Sequence, residues 1–432
     1  MDRITELIGK LNHKEKTVRI QAVRSLKEAI DKEEIPKVER LEECNNHVHS
    51  QYSFSPYSPS KIAWKAHQVG LRTCGIVDHE SIAGCVEFKE ACNILGVVPT
   101  VGFEVRMTWD HTPLKGKMFN NPDQKSVGYF PIHGVPISSL PKVEEFLKPI
   151  RAAREQRNRK MVKKIDSILQ NYGMELDFDQ DVIPVSRWNE GGSITERHLL
   201  YATAGKFVDK FGRGRPLIDF LQNEMGIPLG IKSIEFLNDI ESEIYQFDVT
   251  NILKGFFSEK MYIPAGQDET PDVRRAIPFL NGLGCIATYT YLGDVNGESV
   301  TGDKKSQKFE DDILDDLFKY GSQYGMQGMS YAPSRNSEVQ IKRVHELCKK
   351  YNMLEVCGED INQPRQPFIN TTIKQEEKKL FNDATWAIIG HETVSDNHLE
   401  EGILNEEKKR AMPGIAQRIT AYKEIALCKY QE

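Results

Sequence analysis

Apolar and polar positions follow two different periods along the chain. Within residues 1–43, apolar residues recur every three to four positions, which predicts two short amphipathic helices. From residue 44 onward, short apolar runs alternate with helical patterns, and strands and helices at this spacing predict parallel βα units. The predicted strands are Cys44–Ser50, Leu71–Val77, Gly96–Val101, Leu283–Tyr289, Gly328–Tyr331 and Leu354–Cys357.

The two strand-bearing stretches are separated by a mainly helical block. The simplest architecture is therefore an α/β chain in which a βα barrel is interrupted by a helical insertion. The predicted segments are an N-terminal helical extension (1–43), a first barrel part (44–144), a mainly helical insertion (145–275), a second barrel part (276–400) and a C-terminal helix (401–432).

Charge and composition narrow the classes of partner. The 432 residues carry 57 Lys and Arg against 63 Asp and Glu, so we expect no extended nucleic-acid surface. No run of apolar residues is long enough to span a membrane, and the N-terminus lacks the apolar stretch of a signal peptide. The eight cysteines form no CxxC pair, which favours a reducing, cytoplasmic compartment.

Imidazoles and carboxylates follow the first three predicted strands. The first strand ends in His47-Val48-His49, and residues two apart in an extended chain point to the same side. Asp78-His79 ends the second strand, and the third runs into Glu104. Because the C-terminal strand ends of a βα barrel open onto one mouth, we expect these groups to meet there. Imidazole and carboxylate ligands suit divalent zinc, manganese or iron.

These segments resemble the PHP (polymerase and histidinol phosphatase) family of metal-dependent phosphoesterases over roughly residues 44–365. NNHVHSQYSFSPYSP is similar to the family's opening HxH segment, GIVDHESIAG to its DH segment and VGFEV to its GxE segment. The resemblance also places His133, in YFPIHGVPI, and Asp360, in LEVCGEDINQ, at metal-binding positions. It implies a distorted, (β/α)7-like barrel with metals at its mouth.

The resemblance implies a function and a set of roles. The expected activity is hydrolysis of a phosphate ester of a nucleotide-like or other small phosphorylated substrate by a metal-activated water. Asp360 and His79 are candidates for both metal ligand and proton carrier, and Asp78 for an orienting group. The candidate metal ligands are His47, His49, His79, Glu104, His133 and Asp360.

The insertion adds candidate phosphate-binding residues. It is similar to the helical insert of a PHP subgroup whose members remove phosphate from nucleotides or short RNA ends. Residues 147–165 carry eight Lys and Arg against one acid, and Arg151, Arg154 and Arg157 recur on one helix face, where they would grip phosphate. Arg197 and His198 resemble the subgroup's TRPH element, which is TERH here. Arg335 is a further candidate.

Three positions depart from the family pattern. Phe54 stands where the family commonly has an Asp, Asn362 replaces the His of its closing DxH, and Tyr291 stands where a metal-ligating His is expected. Amide and phenol groups are poor substitutes for imidazole. We therefore expect one or two metals rather than three.

The departures leave a second function open. A catalytically reduced PHP barrel could bind metal and a phosphorylated ligand without turnover. A hydrolase of a non-phosphate bond is a third alternative, and the insertion arginines count against it. The residues do not indicate an oligomeric state.

Overall fold

Seven strands form one continuous sheet that curls into a nearly closed barrel. The computed structural model describes residues 2–294, 310–369 and 373–430, and in these ranges each strand pairs with the next one along the chain. The strands are β1 (Leu41–Val48), β2 (Leu71–His79), β3 (Val98–Thr108), β4 (Val127–His133), β5 (Ile286–Tyr291), β6 (Gly328–Tyr331) and β7 (Leu354–Cys357). The expected α/β barrel of distorted, seven-stranded type is confirmed.

Strand β4 is the exception to a parallel sheet. β1 to β3 are parallel, as are β5 to β7, but β4 runs antiparallel to both β3 and β5. The sequence pattern does not predict this strand, and the expectation of parallel βα units is wrong there. Gly128 and Pro131 lie inside β4, and both residue types are depleted in strands, so the local pattern hides it.

A glycine permits the close approach of β4 to β3. A Cβ atom on Gly102 would lie 2.2 Å from the carbonyl oxygen of Ile132, which is far inside contact distance. The adjacent register brings His79 of β2 opposite Glu104 of β3. The glycine of the GxE segment thus lets β4 bring its last residue, His133, beside the strands that carry the other candidate ligands.

Fifteen helices surround and extend the barrel within the described ranges. Before β4 they are α1 (Arg3–Lys10), α2 (Lys16–Asp31), α3 (Pro59–Gln68) and α4 (Cys85–Leu95). Between β4 and β5 they are α5 (Leu140–Leu169), α6 (Glu196–Phe211), α7 (Arg215–Asp219), α8 (Ile231–Asn238), α9 (Tyr245–Met261) and α10 (Val273–Gly282). After β5 they are α11 (Glu310–Gln323), α12 (Glu338–Tyr351), α13 (Gln375–Ser395), α14 (Glu406–Ala411) and α15 (Ile415–Tyr430).

The long helix α5 joins two separate hydrophobic cores. Its first turns place Val143, Leu147 and Ile150 in the barrel core. Its last turns place Met161 and Ile165 in a second core built from the helical insertion. The three arginines of its middle turns therefore lie at the junction between barrel and insertion rather than on an outer surface.

Two helices follow α13 where the sequence predicts one. Asn405 caps α14 with its side chain, and α15 packs against α13 on the outside of the barrel. In the described ranges, none of the helices is both long enough and apolar enough to cross a bilayer.

Candidate metal centre

His47 and His49 project together from the end of β1. Both are buried, and their Nε2 atoms lie 3.2 Å apart. Backbone bonds fix this strand end to the segment after β7, because Ile361 donates to the carbonyl of His47 and accepts from the amide of His49, each at 2.9 Å. A Cβ on Gly358 would lie 2.2 Å from that of His47, so only glycine allows this approach. The closing seam of the barrel thereby holds the histidine pair in place.

The same seam presents Asp360 to the histidine pair. Its Oδ1 lies 3.2 Å from Nε2 of His49 and 3.9 Å from Nε2 of His47. Asp360 has a φ of +49°, a left-handed conformation that Asp tolerates better than most residues. The side-chain amide nitrogen of Asn362, Nδ2, donates to Oδ1 of Asp360 at 2.9 Å. The carboxylate is therefore aimed at the histidine nitrogens by the backbone turn and by Asn362.

Glu104 approaches the pair from β3. Its Oε1 lies 3.7 Å from Nε2 of His47, and its Oε2 lies 3.0 Å from Nδ1 of His79. The hydroxyl of Thr290, on β5, donates to Oε1 at 3.3 Å. One ligand atom each from His47, His49 and Glu104 can be chosen so that all three lie within 4.8 Å of one another.

His133 completes the set from the end of β4. The ring is buried, and its Nε2 has no hydrogen-bond partner among the described residues. Burial, followed by the neighbouring His47, lowers the pKa of His133 to about 3. The ring is therefore neutral and carries a lone pair, as a metal ligand requires. We call this set the histidine cluster; its members are His47, His49, His79, Glu104, His133 and Asp360.

Burial and neighbouring charges act in opposite directions on the pKa values of the histidine cluster. Burial lowers the pKa of His47. Burial also disfavours the charged form of His49, but the hydrogen bond and charge of Asp360 outweigh it and raise the pKa. Burial disfavours the charged form of Glu104 as well, yet His47 and His79 hold the pKa of that carboxyl at about 2. The acids are thus ionised and ready to ligate a cation.

The histidine cluster fits a divalent ion. It offers nitrogen and carboxylate oxygen donors, which suit zinc, manganese or iron. The buried Nε2 of His133, which has no hydrogen-bond partner among the described residues, is costly without a ligand. A cation among these atoms would satisfy the orphaned lone pair and the two ionised carboxylates together.

Asp78 faces the turn after β1 rather than the histidine cluster. Its carboxylate accepts from the amide and hydroxyl of Ser50, both at 2.6 Å, and from the hydroxyl of Ser53 at 2.7 Å. The Ser53 hydroxyl also lies 3.4 Å from Nδ1 of His49. This position agrees with an orienting role and not with contact to a reacting group. The sequence analysis did not single out Ser50 or Ser53.

The arginines of α5 lie in a buried ion-pair network. Arg154 pairs with Glu80 and with Glu196, the latter at 2.5 Å. Arg157 pairs with Glu196 at 2.5 Å and with Glu269 at 2.7 Å. Arg106 of β3, which lies two residues beyond Glu104, also pairs with Glu269. We call this set the arginine–glutamate cluster; its members are Arg106, Arg154, Arg157, Glu80, Glu196 and Glu269.

The guanidinium face of α5 is therefore buried and ion-paired rather than open to solvent. Arg151, Arg154 and Arg157 are all buried, and Arg151 pairs with Glu144 and donates to the carbonyl of Glu80 at 3.0 Å. Their role in substrate binding stays a prediction. A substrate phosphate that binds these arginines competes with the glutamate carboxylates that already pair with them. The sequence signals were faint: Glu80 directly follows the DH motif and Glu196 lies within TERH, but nothing marks Glu269.

Three further candidates follow from the sequence: two at the start of α6 and one after β6. His198 is buried, and its Nδ1 accepts from the amide of Thr195 at 3.0 Å at the start of α6. Arg197, beside it, is half-buried. Nη1 of Arg335 lies 3.6 Å from Oδ2 of Asp360, so of the predicted phosphate-binding residues Arg335 contacts the histidine cluster directly.

The comparisons with known proteins agree with this geometry. The sequence profile of the PHP domain matches residues 45–246, a range that contains His47, His49, His79, Glu104 and His133. The chain carries a PHP domain. No curated protein sequence matches the chain.

Two solved structures are similar to this PHP chain. One is a candidate metal-dependent phosphoesterase from Bifidobacterium adolescentis, with 17% sequence identity and a TM-score of 0.50, covering 80% of this chain and 95% of that one. The other is an amidohydrolase from Chromobacterium violaceum solved with bound sulfate and no metal, with 15% identity and a TM-score of 0.49, covering 78% and 95%. At this identity, the first likeness shows a common fold.

Two of the three departures from the PHP pattern, Phe54 and Tyr291, point away from the histidine cluster. Phe54 packs edge-on against His198, with ring centroids 5.1 Å apart, in an aromatic group with Tyr201 and Phe247. Tyr291 directs its hydroxyl to Asp311 of α11, while its neighbour Thr290 reaches Glu104. Neither Phe54 nor Tyr291 offers a ligand atom to the histidine cluster.

Proposed function

We propose that this PHP protein is a metal-dependent phosphoesterase that hydrolyses a phosphate ester of a nucleotide-like or other small phosphorylated substrate. The observation that carries the proposal is the convergence of His47, His49, Glu104 and Asp360 at one end of the barrel. Their imidazole nitrogens and carboxylate oxygens approach one another to 3.2–3.9 Å. A PHP domain profile over the same segments supports it.

We assign the metal-binding role to the six members of the histidine cluster and expect one or two divalent ions, zinc, manganese or iron. His47, His49, Glu104 and Asp360 would hold the more tightly bound ion, because a donor atom of each of the other three lies within 3.9 Å of Nε2 of His47. A divalent ion bound there supplies Lewis acidity, which activates water at neutral pH and neutralises charge on phosphoryl oxygens.

The remaining chemistry falls to side chains that are open to the mouth. The side chain of His79 is 20% exposed and that of Asp360 is 26% exposed, whereas His47, His49 and Glu104 are nearly sealed. Nδ1 of His79 faces Glu104, so Nε2 is the atom placed to give a proton to the leaving oxygen. Asp360 is the second candidate proton carrier, and Asp78 fixes the turn beside His49.

Arg335 is the cation best placed for the substrate phosphate. Its guanidinium is partly exposed and lies 3.6 Å from Asp360, within reach of a phosphoryl group beside that carboxylate. A guanidinium binds two phosphate oxygens at once. Arg197 and His198, at the start of α6, are proposed to contact the part of the substrate that carries the leaving group.

A second candidate function is a PHP barrel that binds metal and a phosphorylated ligand without turnover. Phe54 favours it, because a buried aromatic group occupies a position from which the family commonly supplies a carboxylate. Asn362 favours it too, since its amide is engaged with Asp360 where the family has an imidazole.

Hydrolysis assays separate the two candidates. The protein, loaded in turn with zinc, manganese or iron(II), is incubated with p-nitrophenyl phosphate and with nucleoside monophosphates. The proposal expects turnover that a chelator abolishes and metal restores. It also expects His79→Ala to reduce turnover while the more tightly bound ion, held by the other members, stays in place. Binding of metal and phosphate with no turnover for any ion supports the second candidate. Absence of both metal and phosphate binding contradicts both.

The proposed setting is a reducing cytoplasm and a small-molecule substrate. All eight cysteines are free thiols, which supports this compartment.

A further inference from the structure

The carboxylate of Glu196 sits between two arginines as a bound anion would. Its Oε2 lies 2.5 Å from Nη2 of Arg154, and its Oε1 lies 2.5 Å from Nη2 of Arg157. Nη1 of Arg106 lies 3.8 Å from Oε1. Each oxygen thus takes its own guanidinium, which is the arrangement in which arginine forks hold phosphate or carboxylate ligands.

Glu196 differs from the other two acids of the arginine–glutamate cluster in its exposure. The side chains of Glu80 and Glu269 are 0% and 1% exposed, whereas that of Glu196 is 22% exposed. Glu196 therefore covers the solvent side of the arginine pair. An anion that reached these arginines from solvent would arrive at the position that this carboxylate occupies.

The position also borders the histidine cluster. Glu196 is the first residue of α6, two residues before His198, which lies within electrostatic range of both Arg154 and His79. Glu80 directly follows His79, and its amide donates to the carbonyl of Glu104 at 2.7 Å. The arginine pair is thus adjacent to the proposed catalytic mouth, and Glu196 lies on its open side.

Charge balance makes Glu196 the replaceable partner. With it, the arginine–glutamate cluster holds three arginines and three glutamates. Without it, Arg154 keeps Glu80 and Arg157 keeps Glu269, so both remain paired while the cluster gains one net positive charge. The space between the two outer guanidinium nitrogens would then suit one anionic group.

We propose that Glu196 is a specificity-determining residue that fills an anion subsite from within the chain. The inference deepens the proposed phosphoesterase function and, for substrate choice, rests on it. The substrate then brings one phosphoryl group to the histidine cluster and no second phosphate to the arginines of α5. A neutral group, such as a sugar or a base edge, meets the carboxylate of Glu196 instead.

Titration calorimetry with inorganic phosphate tests this on the metal-loaded protein. We expect Glu196→Ala to bind one more phosphate per chain than wild type. At that subsite, its affinity for phosphate should exceed the wild-type affinity about ten- to a hundredfold, which is the range for one charge-assisted hydrogen bond. The double variant Glu196→Ala/Arg157→Ala should lose the added phosphate. Glu155→Ala is the matched control, because it removes an acid that pairs with Arg159 on the same helix, outside the arginine pair.

Circular dichroism checks that Glu196→Ala folds, and Glu196→Gln replaces it if it does not, since the neutral amide keeps the shape and removes the charge. The inference is overturned if the folded variant binds no more phosphate than wild type, or if wild type already binds phosphate in an Arg157-dependent manner. Because the readout is binding, the outcome is separate from hydrolysis. Wild-type turnover without an added phosphate in the variant refutes only the inference, and an added phosphate without turnover refutes only the proposed function.

Discussion

The histidine cluster and the arginine–glutamate cluster are both buried and polar, and they meet along β3, where Glu104 and Arg106 lie two residues apart. In the arginine–glutamate cluster, three arginines face three glutamates, and each charged group has an oppositely charged partner within the cluster. In the histidine cluster, imidazole nitrogens face one another at 3.2 Å, and the Nε2 of His133 has no partner among the described residues. The charges of the first set balance without a ligand, and Nε of Arg154 is its one side-chain nitrogen without a hydrogen-bond partner in the described ranges, whereas the second set holds three such nitrogens.

This difference indicates how each cluster acts. A buried polar atom without a partner costs free energy, so a cluster that keeps such atoms is explained by a ligand that satisfies them. The arginine–glutamate cluster, whose charges are matched within the chain, is explained by a structural role at the junction of the two hydrophobic cores. It becomes a ligand site only where one of its own groups stands in for the ligand, as we propose for Glu196.

The largest expected effect is loss of metal from the histidine cluster. His49→Ala removes a direct ligand, so we expect the bound metal to fall at least about tenfold. Elemental analysis of the purified variant measures it. His345→Ala is the control, because His345 pairs with Glu355 away from the histidine cluster and should leave the metal content unchanged. Equal metal content in His49→Ala and wild type would refute the ligand assignment.

Arg154→Ala should separate stability from metal binding. Removing it leaves Glu80 and Glu196 short of a buried counter-charge, and breaking such a pair costs about 3–5 kcal/mol of unfolding free energy. Arg215→Ala, which removes an exposed partner of Asp219 in the same insertion, should cost less than about 1 kcal/mol. Urea denaturation measures both, and elemental analysis should show wild-type metal content. A small cost for Arg154→Ala would mean that the arginine–glutamate cluster is not structural.

The two clusters also differ in how much of their structure can be predicted from the sequence. The HxH, DH and GxE segments could be placed at one mouth because the strand period is local and the C-terminal ends of the strands of a βα barrel open onto the same side. The burial of Arg154 could not be predicted, because its partners Glu80 and Glu196 are distant in sequence and only the fold brings them together. The i, i+3 spacing of the arginines defined a face but not what covers it. Strand β4 was missed because Gly128 and Pro131 mask its pattern.

A smaller effect comes from a buried acid that belongs to neither cluster. Glu392 of α13 is buried and accepts from the amide of Val101 at 2.9 Å, while Lys89 and Asp396 lie nearby. Burial raises the pKa of Glu392 to about 8 from an ordinary value of 4.5. The folded state therefore binds more protons than the unfolded state between these pH values, so the stabilising contribution is lost as pH rises through this window.

Glu392→Gln should remove this loss, because the amide can keep the bond from Val101 and carries no charge. Between pH 5 and pH 8, we expect its unfolding free energy to gain roughly 3–4 kcal/mol relative to wild type, because each pH unit within this window costs the wild type about 1.4 kcal/mol. Denaturant unfolding at both pH values measures this gain. The variant Glu376→Gln, at an exposed position in the first turn of the same helix, serves as the control. Parallel pH profiles for Glu392→Gln and wild type would contradict the assignment.

The number and place of bound metals test the central claim most directly. Anomalous scattering from crystals of the metal-loaded protein locates each ion. The account predicts one or two ions in contact with His47, His49, Glu104 and Asp360, because Phe54 and Asn362 withhold the ligands of a third. No ion at the histidine cluster, or three fully occupied positions there, would contradict it.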